Sequence, residues 1–145
     1  MEWNTILSTD WRASATAIHR KIYGQGVTVD ITTDQFLKVV VDKNPDTLFI
    51  TGPCPPFAAF CNQAARDDDR SAPFKAAIRI AFIQRPRNLV VENVRGITTC
   101  KMQGGETVDK ETLKVYRAMQ FQVQADVDDA GRWTGEARNK WSMLG

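Results

Sequence analysis

The sequence predicts an α/β protein with a mostly parallel sheet. Short apolar or alternating segments, typical of strands, recur along the chain, and segments of about 10 residues with apolar positions at helical spacing lie between them. The chain has 145 residues, of which 43% are hydrophobic and 25% are charged, as in ordinary globular proteins. The composition therefore allows one domain of this class and excludes a fibre or a disordered tail.

The first part of the chain predicts two strand-to-helix units. Residues 6–8 form a short apolar strand, and residues 13–23 carry apolar side chains at helical spacing. Residues 27–31 alternate as a second strand, and residues 33–42 predict a helix that begins at a Thr or Asp cap. The chain thus begins with the β-α-β-α order of a parallel sheet.

The remaining elements continue the same alternation. Residues 47–50 form a continuous apolar strand of the kind that is buried on both faces, and a loop begins at Gly52. Apolar residues at i, i+3, i+4, i+7 and i+8 predict a helix over 74–82, which leads into a strand over 88–92. Three further elements are predicted: a helix over 110–119 and strands over 121–125 and 141–144.

Charge, apolar runs and cysteine usage restrict the functional class. The net charge is only +2, so overall charge identifies no partner. No apolar run approaches the roughly 18 residues that span a bilayer, and the first residues do not resemble a signal peptide. Three irregularly spaced cysteines and a single histidine predict neither a disulfide framework nor a metal site. We therefore expect an intracellular protein without a membrane partner.

Two side chains at the carboxyl ends of predicted strands are candidates for chemistry, because ligands of parallel sheets bind there. Cys54 lies between prolines directly after a buried strand, which makes it a candidate nucleophile. From its position alone, a small buried cysteine is the simpler interpretation. Glu92 ends an apolar strand and is a candidate proton donor, although a helix cap or a surface ion pair explains it equally well.

The loops around these two residues resemble a known family. Pro53-Cys54-Pro55 and Glu92-Asn93-Val94 resemble the Pro-Cys and Glu-Asn-Val motifs of the cytosine-5 DNA methyltransferases, in the same order and separated by a helix. Near the amino end, Ser8-Thr9-Asp10-Trp11 and Asp30-Ile31 resemble the second and third motifs of that family. Residues 136–140 resemble its Gln-x-Arg-x-Arg motif, in which Arg138 keeps its place.

The resemblance implies a Rossmann-like methyltransferase fold and a covalent mechanism on cytosine in DNA. Cys54 would add to carbon 6 of the ring, and Glu92 would hold ring nitrogen 3 and the exocyclic amine. Arg138 would hold the carbonyl oxygen of the base. Pro53 and Asn93 would position the loops. The methyl group would pass to carbon 5 after the base has been flipped out of the duplex.

The resemblance also implies that S-adenosylmethionine is the cofactor. Asp10 would accept hydrogen bonds from the ribose, and Trp11 would pack on the adenine. Asp30, followed by Ile31, would accept a hydrogen bond from the adenine amino group. The resemblance implies no metal. It places the protein in the nucleus if the source is eukaryotic, and in the cytoplasm if it is bacterial or viral.

The chain departs from the family at both ends. It contains no Phe-x-Gly-x-Gly loop before Asp10, so the first strand of the fold is expected to be missing, and it lacks the target-recognition region. We therefore expect residues 1–145 to be a partial catalytic domain. The missing motifs would come from a longer parent gene or from a complementing polypeptide, or they are absent altogether. Two alternatives remain: an inactive remnant that binds nucleic acid or a partner as a regulatory subunit, and a tRNA cytosine-5 methyltransferase.

Overall fold

Helices and strands alternate along the chain through the fourth helix, after which two strands follow. The computed structural model describes residues 4–52, 72–101, 105–129 and 139–145. The elements are β1 (Thr9–Asp10), α1 (Ala13–Tyr23), β2 (Val27–Thr28), α2 (Asp34–Lys43), β3 (Thr47–Thr51), α3 (Ala72–Gln84), β4 (Asn88–Val94), a 3₁₀ turn (Arg95–Thr98), α4 (Val108–Ala118), β5 (Gln124–Asp129) and β6 (Asn139–Leu144). The predicted α/β class is confirmed.

The described strands form two separate sheets. β1 and β2 are a parallel pair, and the other four strands form a mixed sheet in the order β3-β4-β6-β5. β3 and β4 are parallel, whereas β6 lies between β4 and β5 and is antiparallel to both. The parallel pairs among the described strands are therefore β1–β2 and β3–β4, whereas both pairs that contain β6 are antiparallel.

The first two strands differ in their bounds from the predicted ones. β1 begins at Thr9 rather than at residue 6, because its pairing with β2 starts only where the Val27 amide donates to the Ser8 carbonyl (2.8 Å). β2 ends at Thr28 rather than at residue 31. The chain turns there because the Asp30 carboxylate accepts a hydrogen bond from the Thr32 amide (2.8 Å), as is common in aspartate turns.

The strand predicted over 121–125 begins later, at Gln124. Gln120 has a φ of 71°, and the Phe121 amide still bonds to the Tyr116 carbonyl (3.1 Å). The Phe121 ring also packs edge-on against the Tyr116 ring at 6.2 Å between centroids. The residues after α4 therefore complete the end of the helix before the strand can start.

The core lies between one face of the four-stranded sheet and the helices α2, α3 and α4. Buried side chains of these helices pack on buried side chains of the sheet: Phe36, Val40, Ala77, Ile80, Ala81 and Tyr116 on Ile50, Leu89, Val91, Trp141 and Met143. Gln84 of α3 also donates to Asn44 at the end of α2 (2.7 Å). No side chain of α1 belongs to this core. The helix layer therefore covers one face of the larger sheet.

Three further observations concern a cysteine, the helices and possible metal ligands. Cys100 is buried and disulfide-bonded, which differs from the expectation of free thiols. None of the helices in the described ranges is both long and apolar enough to cross a membrane. Within those ranges, no cluster of three or more His, Cys, Asp or Glu side chains is placed to hold a metal ion.

Candidate active site at the carboxyl ends of the strands

The pairing of three strands places Glu92 between the strand that leads towards Cys54 and the strand that follows Arg138. Thr51 at the end of β3 is the register partner of Glu92 on β4, and Ser142 on β6 is its partner on the other side. Thr51 comes three residues before Cys54, and Ser142 four residues after Arg138. Glu92 is half-buried. Pro53, Cys54 and Arg138 themselves lie outside the described residues.

Asn93 lies on the opposite face of β4 and is fully buried. Its Oδ1 atom accepts a hydrogen bond from the Val94 amide (2.8 Å), whereas its Nδ2 atom has no hydrogen-bond partner among the described residues. A Cβ atom placed on Gly52 would lie 3.6 Å from that Nδ2 atom. An unused buried donor therefore lies beside the residue that precedes Pro53, which is unusual because leaving such a group unpaired costs about 1–3 kcal/mol.

Asp10 and Trp11 follow one another at the end of β1. The Asp10 Oδ1 atom accepts hydrogen bonds from the Arg12 amide (2.8 Å) and from Arg12 Nε (3.4 Å). Partial burial raises the pKa of Asp10, but the hydrogen bonds and the charge of Arg12 together outweigh burial, so the net pKa is lowered. Trp11 is 73% exposed. This end of β1 thus offers an ionised carboxylate next to an accessible indole.

Asp30 and Ile31 follow the neighbouring strand β2. The Asp30 Oδ1 atom accepts hydrogen bonds from the Thr32 amide (2.8 Å) and the Thr32 hydroxyl (2.7 Å), and both lower the pKa of Asp30. Ile31 is half-buried and packs against the core. Because β1 and β2 are parallel and the Val29 amide bonds to the Asp10 carbonyl (3.0 Å), both carboxylates lie at the same edge of the sheet.

The structure therefore groups the described candidates into two sets, each on its own sheet: Asp10, Trp11, Asp30 and Ile31 on β1–β2, and Glu92 and Asn93 on β4. Arg12 and Thr32, which hold the two carboxylates, were not predicted. The Asp-x-Thr spacing at residues 30–32 is a sequence signal for such a turn. The contact of Arg12 with Asp10 depends on the geometry after β1 and has no comparable signal.

Comparison with known proteins gives a consistent result. The family described as C-5 cytosine-specific DNA methylase matches residues 1–133. The type II methyltransferase M.NgoMIV of Neisseria gonorrhoeae is 41% identical over 51 residues, which are 35% of this chain and 16% of that protein.

Two solved structures share the fold. The Entamoeba histolytica methyltransferase EhMeth has a TM-score of 0.77 at 18% identity, and the S. pombe Dnmt2 methyltransferase has a TM-score of 0.73 at 19% identity. The match covers 95% and 96% of this chain but only 43% and 40% of those chains. The likeness confirms the predicted Rossmann-like methyltransferase fold, and the chain spans less than half the length of these relatives.

Proposed function

This chain belongs to the C-5 cytosine-specific DNA methylase family, and from that premise we propose that it serves in transferring a methyl group from S-adenosylmethionine to carbon 5 of cytosine in DNA. The observation that carries the proposal is the register of β3, β4 and β6. It brings Glu92 next to the segment that leads to Cys54 and the segment that follows Arg138. These are the three side chains on which the chemistry would depend.

The proposed reaction begins at Cys54. Its thiolate adds to carbon 6 of the flipped cytosine, so that a carbon–sulfur bond forms and the electron pair of the 5,6 double bond moves towards carbon 5 and the ring nitrogen. Carbon 5 then takes the methyl group. Loss of the proton from carbon 5 restores the double bond and expels the thiolate, so the enzyme is regenerated and no oxidant is needed.

Addition to the ring is favourable only if the charge that develops on the base is neutralised. Glu92 would donate a proton to ring nitrogen 3 and accept from the exocyclic amine, and Arg138 would hold the carbonyl oxygen. Asn93 is a positioning residue in this proposal: its Nδ2 donor, which lies next to Gly52, would bond to the Pro53-Cys54 segment. Pro53 would restrict the same loop.

S-adenosylmethionine, when bound, supplies the methyl group. The described residues fit its nucleoside part. All hydrogen bonds that described residues donate to Asp10 and Asp30 go to Oδ1, so the Oδ2 atom of each carboxylate remains an acceptor for ribose hydroxyls or an adenine amine. The exposed Trp11 indole can stack on a purine, and Ile31 offers an apolar neighbour.

We also propose that full activity needs polypeptide segments that this chain does not contain. The relatives with the same fold are more than twice as long as the part that matches. Choice of the DNA target sequence would belong to those segments.

The test is methyl transfer from radiolabelled S-adenosylmethionine to duplex DNA and, separately, to tRNA, with reductant present. We expect Cys54→Ser to abolish transfer and leave the circular dichroism spectrum unchanged, whereas the matched control Cys61→Ser keeps activity. DNA containing 5-fluorocytosine should form a covalent adduct only with chains that have Cys54, because fluorine cannot leave as a cation. Turnover by Cys54→Ser would refute the mechanism, and transfer to tRNA alone would refute DNA as substrate.

If the chain transfers no methyl group, titration calorimetry with S-adenosylmethionine separates the remaining possibilities. Binding by the folded chain would support the cofactor site and assign the missing activity to absent segments. A folded chain that binds no cofactor would contradict the proposal and favour a non-catalytic remnant.

A further inference from the structure

The outer side of α3 carries large apolar side chains that are exposed. Ala77 and Ala81 point into the core and are almost completely buried. Arg79, Phe82 and Ile83 lie on the opposite side of the helix, because residues three and four apart share a helix face. Phe82 is 54% exposed and Ile83 is 42% exposed. The side of α3 that faces away from the core is therefore partly apolar.

Basic side chains surround these apolar ones. Residues 72–91 contain four basic residues and no acidic one. Arg79 lies one turn before Ile83, and Arg85 and Arg87 follow the end of the helix. All three arginines are exposed, and within the described part of the chain none of them forms an ion pair or a side-chain hydrogen bond. We call the surface made by Arg79, Phe82, Ile83, Arg85 and Arg87 the α3 patch.

Arg85 has a strained backbone conformation. Its φ is 44°, in the left-handed region that favours glycine, and its amide ends α3 by donating to the Ala81 carbonyl (3.0 Å). Its guanidinium carbon lies 5.7 Å from the centroid of the Phe82 ring. A glycine would end the helix without strain, whereas the arginine places a cation over the exposed aromatic face. Strain of this kind is common where a residue contacts a ligand.

The α3 patch lies away from the candidate active site. Arg87 directly precedes Asn88, the first residue of β4. Glu92 lies four residues further along the strand, which corresponds to about 13 Å towards its carboxyl end. A molecule bound to the patch would therefore leave the carboxyl ends of the strands free for substrate and cofactor.

We propose that the α3 patch binds an acidic amphipathic helix of a partner protein. Phe82 and Ile83 pack on the apolar stripe of that helix, and the three arginines pair with carboxylates beside the stripe. The two apolar side chains favour a protein over a nucleic acid duplex, whose backbone offers charge but little apolar surface. The partner would hold this chain in place without covering its active site. Binding alone tests this inference, so its outcome is independent of the methyl-transfer test.

The probe is a labelled peptide of about 18 residues, with leucines at helical spacing and glutamates on both sides of them. Fluorescence anisotropy measures its binding to the full chain, and circular dichroism checks that each variant is folded. We expect saturable binding that Phe82→Ser and Arg79→Glu each weaken by about tenfold or more. The matched controls Ile18→Ser on α1 and Arg117→Glu on α4 also change exposed side chains, and each should alter binding by less than about twofold.

Charge reversal tests the pairing directly. A peptide with lysines in place of the glutamates should bind the native chain at least about tenfold more weakly than the parent peptide. It should regain affinity for a chain that carries both Arg79→Glu and Arg85→Glu, because opposite charges then meet again. The affinity of the parent peptide should fall as the salt concentration rises.

Arg85→Gly separates binding from folding. The change removes the left-handed strain, so the urea midpoint should stay the same or rise. Peptide binding should nevertheless weaken by at least about fivefold, because a charge and the contact with Phe82 are lost. A purely structural role of Arg85 would not produce this combination, and unchanged binding would contradict its place in the patch.

Three results would overturn the proposal: no saturable binding, equal binding by Phe82→Ser, or equal binding of the two peptides to the native chain. A different occupant would overturn it as well. A DNA duplex that binds in place of the peptide, and that Arg79→Glu releases, would assign the patch to nucleic acid. A concentration-dependent dimer that Arg79→Glu converts to monomer would assign it to a second copy of this chain.

Discussion

Replacement of Asn93 by aspartate tests whether this side chain is buried as described. The change exchanges the Nδ2 atom for an oxygen of similar size, so packing and the hydrogen bond from the Val94 amide (2.8 Å) are retained. Asn93 has no exposed surface, and a carboxyl group in that place would be taken out of water on folding. Burial raises the pKa of a carboxyl, because it disfavours the charged form.

The effect on stability follows from proton linkage. In the unfolded chain the new carboxyl ionises with a pKa of about 3.9, whereas in the folded chain it stays protonated up to its raised pKa. Between these values the folded state binds more protons, so stability falls by about 1.4 kcal/mol for each pH unit of increase. Full burial can raise the pKa of a carboxyl by about 3–5 units, which places it at or above 7. With such a pKa, Asn93→Asp should lose about 1.5 kcal/mol at pH 5 and about 4 kcal/mol at pH 7 relative to the native chain.

Urea denaturation of both chains at the two pH values measures this difference. Asn93→Ala is the matched control, because it introduces no titratable group and should differ from the native chain by the same amount at both pH values. We expect the free energy of unfolding of Asn93→Asp to be much lower at pH 7 than at pH 5. A difference between Asn93→Asp and the native chain that does not change with pH would refute the burial of this side chain.

Three further substitutions test local geometry and the cofactor site. Gly26→Ala should lower the free energy of unfolding by about 2 kcal/mol in urea denaturation, because its Cβ would lie 2.6 Å from the Thr16 carbonyl oxygen; a native-like midpoint would contradict this close approach. Thr32→Ala should raise the pKa of Asp30 towards 3.8 in a carbon-13 NMR titration, because one of two hydrogen bonds to the carboxylate is lost. Because the pKa of Asp30 is lower in the folded chain than in the unfolded chain, its ionised carboxylate stabilises the folded state at pH values above the unfolded-state pKa. The variant should therefore lose part of this stabilisation at neutral pH. An unchanged pKa of Asp30 would contradict the hydrogen bond from the Thr32 hydroxyl. Trp11→Ala should weaken S-adenosylmethionine binding at least about tenfold by calorimetry while changing stability by less than about 0.5 kcal/mol, and unchanged binding would exclude stacking on this indole.

The helices were the most predictable part of the fold. The sequence predicted all four of them to within two residues at either end, and the predicted cap of α2 is present, since Thr33 Oγ1 accepts from the Phe36 amide (3.3 Å). Strand ends were less predictable. Asp30 stops β2 by accepting bonds from Thr32, and the φ of 71° at Gln120 delays β5. These local turns compete with strand propensity and leave only a weak trace in the sequence.

The candidate site was predictable where it depends on alternation along one strand. Glu92 and Asn93 are consecutive on β4 and therefore point to opposite faces, one beside Thr51 and Ser142 and the other into the core. The register of β6 was not predictable, because pairing between distant segments is decided by the whole sheet rather than by either segment. The roles of all the candidate site residues stay predictions, and Cys54, Pro53 and Arg138 also lie outside the described ranges.

The place of β6 in the sheet has a consequence for biosynthesis. β6 follows both β4 and β5 in the sequence, yet it lies between them in the sheet and supplies both with their antiparallel partner. A ribosome that adds roughly 5–20 residues per second would release β3, α3 and β4 well before this strand emerges. Until then β4 has one neighbour and β5 has none among the described strands. The nascent chain would therefore carry exposed strand edges, and we expect chaperones that recognise extended apolar segments to act on it before β6 closes the sheet.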